Sequence, residues 1–296
     1  MSARGISTES PTLSGGSFLI GLIGKNIQRS RSPAMHEREA DALGLRCIYQ
    51  LIDLDVLGLG VEALETLVAS AELMGFCGLN VTHPCKQAVV PLLSELSEEA
   101  RAIGAVNTVR LAGGRRIGYN TDASGFADSF RRGLGDAAID RVAQVGAGGA
   151  GAATAYAMLS LGAGHVTIFD AEPARAAALV RNLRGSFAAE RLSVAPDLKA
   201  AIDAADGIVH ATPTGMREHP GLPFPVDYLR PALWVADIVY FPLRTELLRQ
   251  AAERGCRVLD GGGMAVFQAA AAFELFTGRA ADRERMLQGF RNTRDV

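Results

Sequence analysis

Three glycines in the middle of the chain have the spacing of a phosphate-binding loop. Gly146, Gly148 and Gly151 follow a short apolar run in the pattern G-x-G-x-x-G, and a helical pattern follows them. The first glycine allows a tight turn, the second lets backbone approach a pyrophosphate, and the third allows close helix–sheet packing. Free N–H groups at a helix start attract anions. We predict a dinucleotide site, whose loop residues are Gly146, Ala147, Gly148, Gly149 and Ala150.

An acidic residue ends the next predicted strand. Asp170 stands about twenty residues past the loop, where a carboxylate can accept hydrogen bonds from an adenosine ribose. Such a carboxylate repels a 2′-phosphate, and Ala171 occupies the position of a possible phosphate-binding arginine. The pattern favours NAD over NADP, although Arg175 could stack on adenine or meet a phosphate. A glycine-rich helix entry without a nucleotide is the alternative interpretation.

Composition excludes several classes of protein and draws attention to one lysine. At 296 residues the chain can form two domains, and a net charge of −2 gives no case for binding nucleic acid or an anionic membrane. No apolar run suits a membrane span or signal peptide, so we expect a cytoplasmic protein.

Only three of the 30 basic residues are lysines. Lys86 stands out because lysine, unlike arginine, can lose its proton near neutral pH.

The cysteines carry no signature of metal binding. They are scattered without C-x-x-C spacing, which indicates neither a metal site nor a disulfide framework. We predict reduced packing residues at Cys47, Cys77, Cys85 and Cys256.

The first half of the chain alternates strands and helices, which predicts a small, mostly parallel sheet with right-handed crossovers. Ser32 is expected to cap the first helix and Pro33 to begin it. Gly113-Gly114 predicts a hairpin turn. Asp122 is expected immediately before the helix that leads out of this half. The predicted strands cover residues 18–23, 47–52 and 78–81, and the predicted helices include residues 61–73 and 97–105.

The third of these strands ends in polar residues. Asn80, Thr82 and Lys86 then lie at the carboxyl edge of the sheet, where open α/β sheets usually bind ligands. We expect a structural loop role for His83. Ser30 and Ser32, in the loop before the first helix, could bind a polyhydroxy or carboxylate ligand.

The second half predicts a doubly wound dinucleotide-binding domain, followed by two helices that pack back on the first domain. We predict an α/β protein of two domains: residues 17–122 plus 262–296 bind substrate, and residues 123–261 form the Rossmann domain. Residues 1–16 are rich in Ser, Thr and Gly and are predicted to be a disordered tail.

The order of motifs resembles the shikimate/quinate dehydrogenase family from Ile20 to Phe290. The matching segments are SRSPAMH, NVTHPCK, GAVNT, NTD, VGAGGAG, ATPTGM, DIVY and GGGMAVFQA. The resemblance implies that Lys86 is the catalytic acid/base and Asp122 its partner. It implies that the hydroxyls and carboxylate of a cyclic polyhydroxy acid are held by Ser30, Ser32, Asn80, Thr82, Asn107, Tyr240 and Gln268. It implies cofactor contacts at Thr212, Ile238, Gly261 and Met264, with Glu98 as a weaker candidate for a contact across the cleft.

The chemistry of the residues agrees with this resemblance. Oxidising a secondary alcohol requires a hydride acceptor and a base for the hydroxyl proton. Neutral Lys86 can take that proton, and ionised Asp122 can orient the hydroxyl and stabilise the ammonium that forms. The alternative interpretation of the pair is an interdomain salt bridge without chemistry.

Two departures from the family pattern shape the prediction. Arg29 stands where a histidine is common, and Asp170-Ala171-Glu172 replaces the basic segment of NADP-linked members. We predict an NAD-preferring dehydrogenase that interconverts shikimate or quinate with its 3-dehydro ketone, with an amino-substituted analogue left open. The alternatives are an NADP-linked biosynthetic shikimate dehydrogenase and a metabolite-sensing homologue without turnover. A homodimer is compatible with the sequence.

Overall fold

The computed structural model describes residues 16–292, whose strands form two six-stranded sheets. Residues 17–119 contain the first sheet and residues 141–259 the second. We call these ranges the first lobe and the second lobe. The two-sheet α/β architecture confirms the predicted fold class. Of the predicted tail, only Gly16 lies within the described residues.

The first sheet is mixed, with parallel strands on one side and a hairpin on the other. Its strands are β1 (Ser17–Gly24), β2 (Arg46–Asp53), β3 (Gly78–Val81), β4 (Glu95–Leu96), β5 (Thr108–Ala112) and β6 (Arg115–Tyr119). Their order is β2-β1-β3-β5-β6-β4. β1 is parallel to β2 and β3, and β4 is parallel to β6. β5 is antiparallel to β3 and β6.

The turn between β5 and β6 is the hairpin that the Gly-Gly pair predicts. Gly113 and Gly114 have φ angles of 58° and 71°. Positive φ at both central positions is what a type I′ turn requires, and glycine adopts it without strain. The hairpin brings its two ends together, since the N–H of Asn107 donates to the carbonyl of Tyr119 at 3.1 Å. It therefore positions Asn107 beside the residues that precede the next helix.

The helices of the first half follow the predicted order with two differences. They are α1 (Ser32–Ala42), α2 (Leu54–Leu57), α3 (Leu64–Leu73), α4 (Cys85–Ala88), α5 (Glu98–Ile103) and α6 (Thr121–Leu134). The helix predicted over residues 61–73 divides into a 3₁₀ turn at Val61–Ala63 and α3. The short α2 was not predicted. The Asp53 carboxylate caps it by accepting the N–H of Asp55 at 3.1 Å, and Gly58 ends it with a φ of 65°.

The second sheet is parallel throughout and has the order of a doubly wound dinucleotide fold. Its strands are β7 (Arg141–Val145), β8 (His165–Phe169), β9 (Leu192–Val194), β10 (Gly207–His210), β11 (Trp234–Asp237) and β12 (Arg257–Leu259). Their order is β12-β11-β10-β7-β8-β9. The winding direction reverses between β7 and β10, which is where such folds bind ligands. The helices that cover this sheet are α7 (Gly149–Ser160), α8 (Pro173–Leu183), α9 (Leu198–Asp203) and α10 (Glu246–Glu253).

The last two helices return to the first lobe, as predicted. They are α11 (Gly262–Thr277) and α12 (Arg283–Asn292). One apolar cluster joins Met35 of α1 to Phe273 of α11 and Phe290 of α12. Phe276 of α11 lies against β3, since a Cβ on Gly78 would stand 2.2 Å from its ring. The domain boundaries stay a prediction, because α6 runs across the one proposed at residues 122 and 123.

The four cysteines are unpaired in the structure. Burial raises the pKa of the Cys47 thiol to about 12 and that of Cys77 to about 11, so both thiols stay protonated near neutral pH. Within residues 16–292, no helix combines the length and apolar character needed to cross a membrane.

Helices α6 and α11 cross at a glycine. A Cβ on Gly125 would lie 2.6 Å from the backbone nitrogen of Gln268 and 2.9 Å from the carbonyl oxygen of Met264. These are closer than van der Waals contact, so only glycine fits without a shift of backbone. α6 leads from the first lobe to the second, and α11 leads back. The contact at Gly125 therefore sets the position of Gln268 and Met264, two predicted site residues.

We expect Gly125→Ala to lower the free energy of unfolding by about 1–3 kcal/mol, because the added methyl group must push α11 away from α6. Urea denaturation measures the change. Gly289→Ala in α12 is the matched control, since its Cβ would meet no atom within 4 Å. Alanine is favoured over glycine in a helix by about 0.5–1 kcal/mol, so this control should gain stability. A Gly125 variant as stable as wild type would contradict the prediction.

Candidate active site

The candidate site lies where the short helix after β3, the start of α6 and the loop after β11 approach one another. The Lys86 Nζ donates to Asp122 Oδ2 at 2.6 Å, and the two side chains are only 22% and 10% exposed. The predicted pair is therefore brought together. The prediction that Asp122 lies immediately before this helix was wrong, because Asp122 belongs to the first turn of α6. That position suits a carboxylate, because the helix N-terminus carries partial positive charge.

Asn107 holds the other oxygen of the carboxylate. Its Nδ2 donates to Asp122 Oδ1 at 2.9 Å, and its Oδ1 accepts the backbone N–H of Thr121 at 2.8 Å. A backbone N–H can only donate, so this contact fixes which end of the amide faces Asp122. Asn107, predicted to hold substrate, thus also orients the candidate catalytic carboxylate.

The prediction that Ser32 caps α1 was wrong. Arg31 occupies the N-cap without a side-chain hydrogen bond, and Ser32 is the first helical residue. The Ser30 Oγ accepts the N–H of Ser32 at 3.3 Å instead. The Ser32 hydroxyl hydrogen-bonds to the Tyr49 hydroxyl from a neighbouring strand, a contact that local sequence cannot reveal.

A buried histidine anchors the same turn of α1. The His36 Nδ1–H donates to the carbonyl oxygen of Ser32 at 2.9 Å, and its ring packs on Tyr49 at a centroid distance of 4.7 Å. Burial lowers the pKa of His36 to about 4, so the imidazole is neutral near pH 7. This packing fixes the backbone that carries Ser32.

The polar residues at the end of β3 and in the turn after it differ in their exposure. Asn80 is buried and its Oδ1 accepts the Tyr49 hydroxyl at 2.8 Å. Thr82 is half-buried, with its N–H bonded to the carbonyl of Ile23 at 2.9 Å. His83 is exposed in the turn, and its carbonyl accepts the N–H of Lys25 at 2.9 Å, which is the loop role expected for it.

Tyr240 brings the second lobe to the site. The residue is 44% exposed. Partial loss of water around the ring and then the Asp122 carboxylate raise the pKa of Tyr240, against an opposing effect of Arg31. The Tyr240 hydroxyl therefore lies within electrostatic range of both charged groups. Gln268 on α11 is half-buried and donates from Nε2 to the Ala265 carbonyl of its own helix at 3.0 Å.

The three loop glycines have different surroundings. Gly146 has a φ of +108°, and a Cβ there would lie 2.5 Å from the Ala211 carbonyl oxygen. A Cβ on Gly151 would lie 2.3 Å from the Gly146 carbonyl oxygen, whereas one on Gly148 would meet no atom. The first and third glycines are thus required by the fold. Gly148 and the uncapped start of α7 leave an open cradle that fits a pyrophosphate.

Asp170 is held in place beside this loop. Its Oδ2 accepts the N–H of Ala147 at 2.8 Å, and its Oδ1 accepts the N–H of Glu172 at 2.9 Å. Arg175 is paired with Glu172 at 2.8 Å, and both side chains are more than half exposed. The carboxylates of Asp170 and Glu172 therefore lie where the adenosine ribose is predicted to bind. The charge of Arg175 is already neutralised by its pairing with Glu172.

A second buried network, which sequence reasoning missed, supports the predicted cofactor contact Thr212. The His210 Nδ1–H donates to Asp237 Oδ1 at 2.9 Å, and its Nε2 accepts the Thr212 hydroxyl at 2.5 Å. Thr245 donates to Asp237 Oδ2 at 2.7 Å. The signal in the sequence was a histidine and an aspartate ending adjacent parallel strands, where they pair in register.

The other predicted cofactor residues gather near the same strand ends. A Cβ on Gly261 would lie 2.3 Å from the Ile238 carbonyl oxygen, so these two backbones touch. Met264 is buried in the first turn of α11. Glu98 is exposed at the start of α5, within electrostatic range of Tyr156 on α7. Arg29 is exposed before α1. Among residues 16–292, no group of His, Cys, Asp or Glu is arranged to hold a metal ion.

Comparison with known proteins agrees with the order of motifs. The family model described as the shikimate dehydrogenase substrate binding domain matches residues 22–109. The model described as the shikimate 5′-dehydrogenase C-terminal domain matches residues 261–288.

Full-length relatives match both lobes. A shikimate dehydrogenase (NADP(+)) of Streptomyces avermitilis is 60% identical over 273 residues, which cover 92% of this chain and 94% of that one. A quinate/shikimate dehydrogenase (NAD(+)) of Corynebacterium efficiens is 47% identical over 277 residues, covering 93% and 98%. The solved structure of quinate dehydrogenase from Corynebacterium glutamicum in complex with NAD is 45% identical, has a TM-score of 0.89, and matches 94% of this chain and 99% of that one.

We expect Gly148→Ala to weaken NAD binding while changing the free energy of unfolding by less than about 0.5 kcal/mol. The new methyl group meets no protein atom but would occupy the open cradle. Gly151→Ala is the contrasting variant, expected to lose stability because its Cβ would lie 2.3 Å from the Gly146 carbonyl oxygen. Fluorescence titration with NAD and urea denaturation measure the two effects. Unchanged NAD binding by the Gly148 variant would remove this loop from the site.

Proposed function

This chain belongs to the shikimate/quinate dehydrogenase family, and on that premise we propose that it oxidises a ring hydroxyl of shikimate or quinate with NAD as the preferred hydride acceptor. The observation that carries the cofactor preference is Asp170. Backbone N–H groups hold both of its oxygens, so the carboxylate is pre-oriented toward an adenosine ribose.

Charge supports NAD over NADP. A 2′-phosphate would bring negative charge close to Asp170 and Glu172, which is unfavourable at short range. The nearby cation, Arg175, is paired with Glu172. A ribose diol, by contrast, offers two donors to the Asp170 carboxylate.

An NADP-linked biosynthetic shikimate dehydrogenase is the second candidate. The observation that favours it is the 60% identity to the Streptomyces avermitilis protein, whose name specifies NADP(+). A non-catalytic metabolite sensor is disfavoured, because Lys86 and Asp122 are both present and 2.6 Å apart.

Lys86 and Asp122 would perform the proton transfer. The dinucleotide, when bound, supplies the hydride acceptor. Lys86 takes the proton of the reacting hydroxyl during oxidation and returns it during reduction of the ketone. Asp122 accepts a hydrogen bond from that hydroxyl and stabilises the ammonium form of Lys86. Asn107 keeps the carboxylate in this orientation through its 2.9 Å bond to Oδ1.

The remaining polar residues would bind the ring. Hydroxyl and amide groups suit a polyhydroxy acid because they can both donate and accept hydrogen bonds. Tyr240 and Gln268 would complete the site from the loop after β11 and from α11. The proposed substrate contacts of the first lobe are Ser30, Ser32, Asn80 and Thr82. We also propose that residues 17–122 with 262–296 act as the substrate-binding domain and residues 123–261 as the dinucleotide-binding domain.

Four steady-state assays test the function: shikimate and quinate, each with NAD and with NADP, followed by absorbance of the reduced dinucleotide. We expect turnover with at least one acid and a higher kcat/KM with NAD. A preference for NADP would support the biosynthetic alternative. If no combination of acid and dinucleotide gives turnover, the result would support the non-catalytic metabolite sensor.

We expect Asp170→Ala to reduce the ratio of kcat/KM for NAD to that for NADP by roughly 10- to 100-fold, since hydrogen bonds to a charged group contribute about 1.5–3 kcal/mol. Arg175→Ala is the companion variant, and it should leave NAD turnover unchanged because Arg175 is paired with Glu172 at the surface. An unaltered ratio in the Asp170 variant would contradict its contact with the ribose.

We expect Lys86→Ala to lower kcat by at least roughly 100-fold, the usual contribution of a general acid–base group, while NAD binding measured by fluorescence persists. Lys199→Ala is the control, because Lys199 lies exposed on α9 and pairs with Asp203. Wild-type turnover by the Lys86 variant would exclude it from the proton transfer.

A further inference from the structure

A row of buried hydrogen bonds crosses the first sheet and ends on the candidate catalytic carboxylate. The Tyr49 hydroxyl on β2 donates to Asn80 Oδ1 at 2.8 Å, and Asn80 Nδ2 donates to Thr108 Oγ1 at 3.1 Å. The Thr108 hydroxyl donates to Asn107 Oδ1 at 3.0 Å, and Asn107 Nδ2 donates to Asp122 Oδ1 at 2.9 Å. Four bonds therefore connect Tyr49 to Asp122.

Backbone groups that can only donate or only accept fix which atom is the donor in each bond of the row. The Thr121 N–H donates to Asn107 Oδ1 at 2.8 Å, so that oxygen is the acceptor end of the amide. The Thr108 hydroxyl must then donate to it and offers a lone pair to Asn80. The backbone carbonyl oxygen of Asn107, which can only accept, lies 3.3 Å from Asn80 Nδ2. This contact identifies the donor end of the Asn80 amide. Asn80 Oδ1 is left to accept from Tyr49, and every donor points toward Asp122.

Tyr49, at the start of this row, and Thr108, in its middle, are too deeply buried to contact a ligand. Thr108 is 0% exposed and Tyr49 is 6% exposed. Burial raises the pKa of the Tyr49 hydroxyl, against the effect of its hydrogen bond with Ser32, so the phenol keeps its proton and remains a donor. Neither side chain is available to a substrate except through its neighbours.

We propose that Tyr49 and Thr108 are positioning residues, which fix the amides of Asn80 and Asn107 and thereby hold Asp122 in the orientation that the reaction needs. This inference rests on the proposed function of Asp122. With Oδ1 held by Asn107, the Oδ2 atom is the one that faces Lys86. In a buried row whose donors all point one way, each bond polarises the next, so the effect reaches the carboxylate.

Tyr49 also connects two of the proposed substrate contacts. Its hydroxyl accepts the Ser32 hydroxyl and donates to Asn80. Without it, the Asn80 amide loses the partner that holds its oxygen, and the Ser32 hydroxyl loses its acceptor. Loss of the phenol should therefore disturb binding of the acid as well as catalysis, whereas loss of the Thr108 hydroxyl should act mainly on catalysis.

The test compares three variants in full-length protein: Thr108→Val, Thr108→Ser and Tyr49→Phe. We expect Thr108→Val to lower kcat by roughly 10- to 100-fold, the cost of a small misplacement of catalytic groups. Thr108→Ser keeps the hydroxyl and should restore most of the rate. Tyr49→Phe should lower kcat and raise the KM for the acid. The KM for NAD should not change in any variant, because both residues belong to the first sheet.

Two matched controls remove the same groups from the second lobe. Thr167→Val removes a hydroxyl from β8, where it contacts Ser193 at 3.4 Å. Tyr228→Phe removes a phenol hydroxyl from a half-buried ring that stacks on Phe224. Both should retain wild-type kinetics. Thermal unfolding of every variant separates a loss of stability, which a merely structural row would produce, from a loss of rate.

The outcomes separate this inference from the proposed function. If wild type oxidises shikimate or quinate and both Thr108→Val and Tyr49→Phe match its kcat and KM, the inference fails and the function stands. A Thr108→Ser variant as slow as Thr108→Val would also overturn it, because the hydroxyl would not be the cause. If Thr108→Val does not fold, Tyr49→Phe decides the question alone. Wild type without turnover in all four assays would instead overturn the function itself, and the inference with it.

Discussion

The 2.6 Å hydrogen bond between Lys86 and Asp122 is the interaction on which the arrangement of the candidate site depends. Removing charges from water is unfavourable unless polar groups replace the water. Here Asn107 provides a donor at 2.9 Å, and the start of α6 provides the positive end of a helix dipole. The β5–β6 hairpin brings Asn107 to that point. The tight Gly113-Gly114 turn, at the opposite end of the hairpin, is thus one of the structural requirements of the site.

Overall identity and the groups near the predicted ribose favour different cofactors. The identity of 60% over 273 residues is to a protein whose name specifies NADP(+). The preference for NAD or NADP is decided by the few groups that would meet the adenosine ribose. In this chain we propose Asp170 and Glu172 as those groups, because two backbone N–H groups hold the Asp170 carboxylate and Arg175 is paired with Glu172.

The sequence predicted what local pattern determines and missed what depends on contacts across the sheet. Arg141–Val145 has the predicted bounds because a buried parallel strand is a short apolar run between turn residues. Ser32 was assigned to a cap because serine before proline is typical of one, yet its hydroxyl bonds to Tyr49 on β2. Thr108 and His210 were missed for the same reason. A polar residue inside a strand shows its partner only when the strand order and register are known.

The first lobe packs against helices that lie far from it in the sequence. Its apolar cluster needs Met35 near the beginning together with Phe273 and Phe290 near the end. During synthesis, all strands of the second lobe therefore precede α11 and α12, the two helices that pack on the first lobe. Because domains fold as units during synthesis, the second sheet can form before α11 and α12 emerge from the ribosome, whereas the cluster around Met35 can form only afterwards.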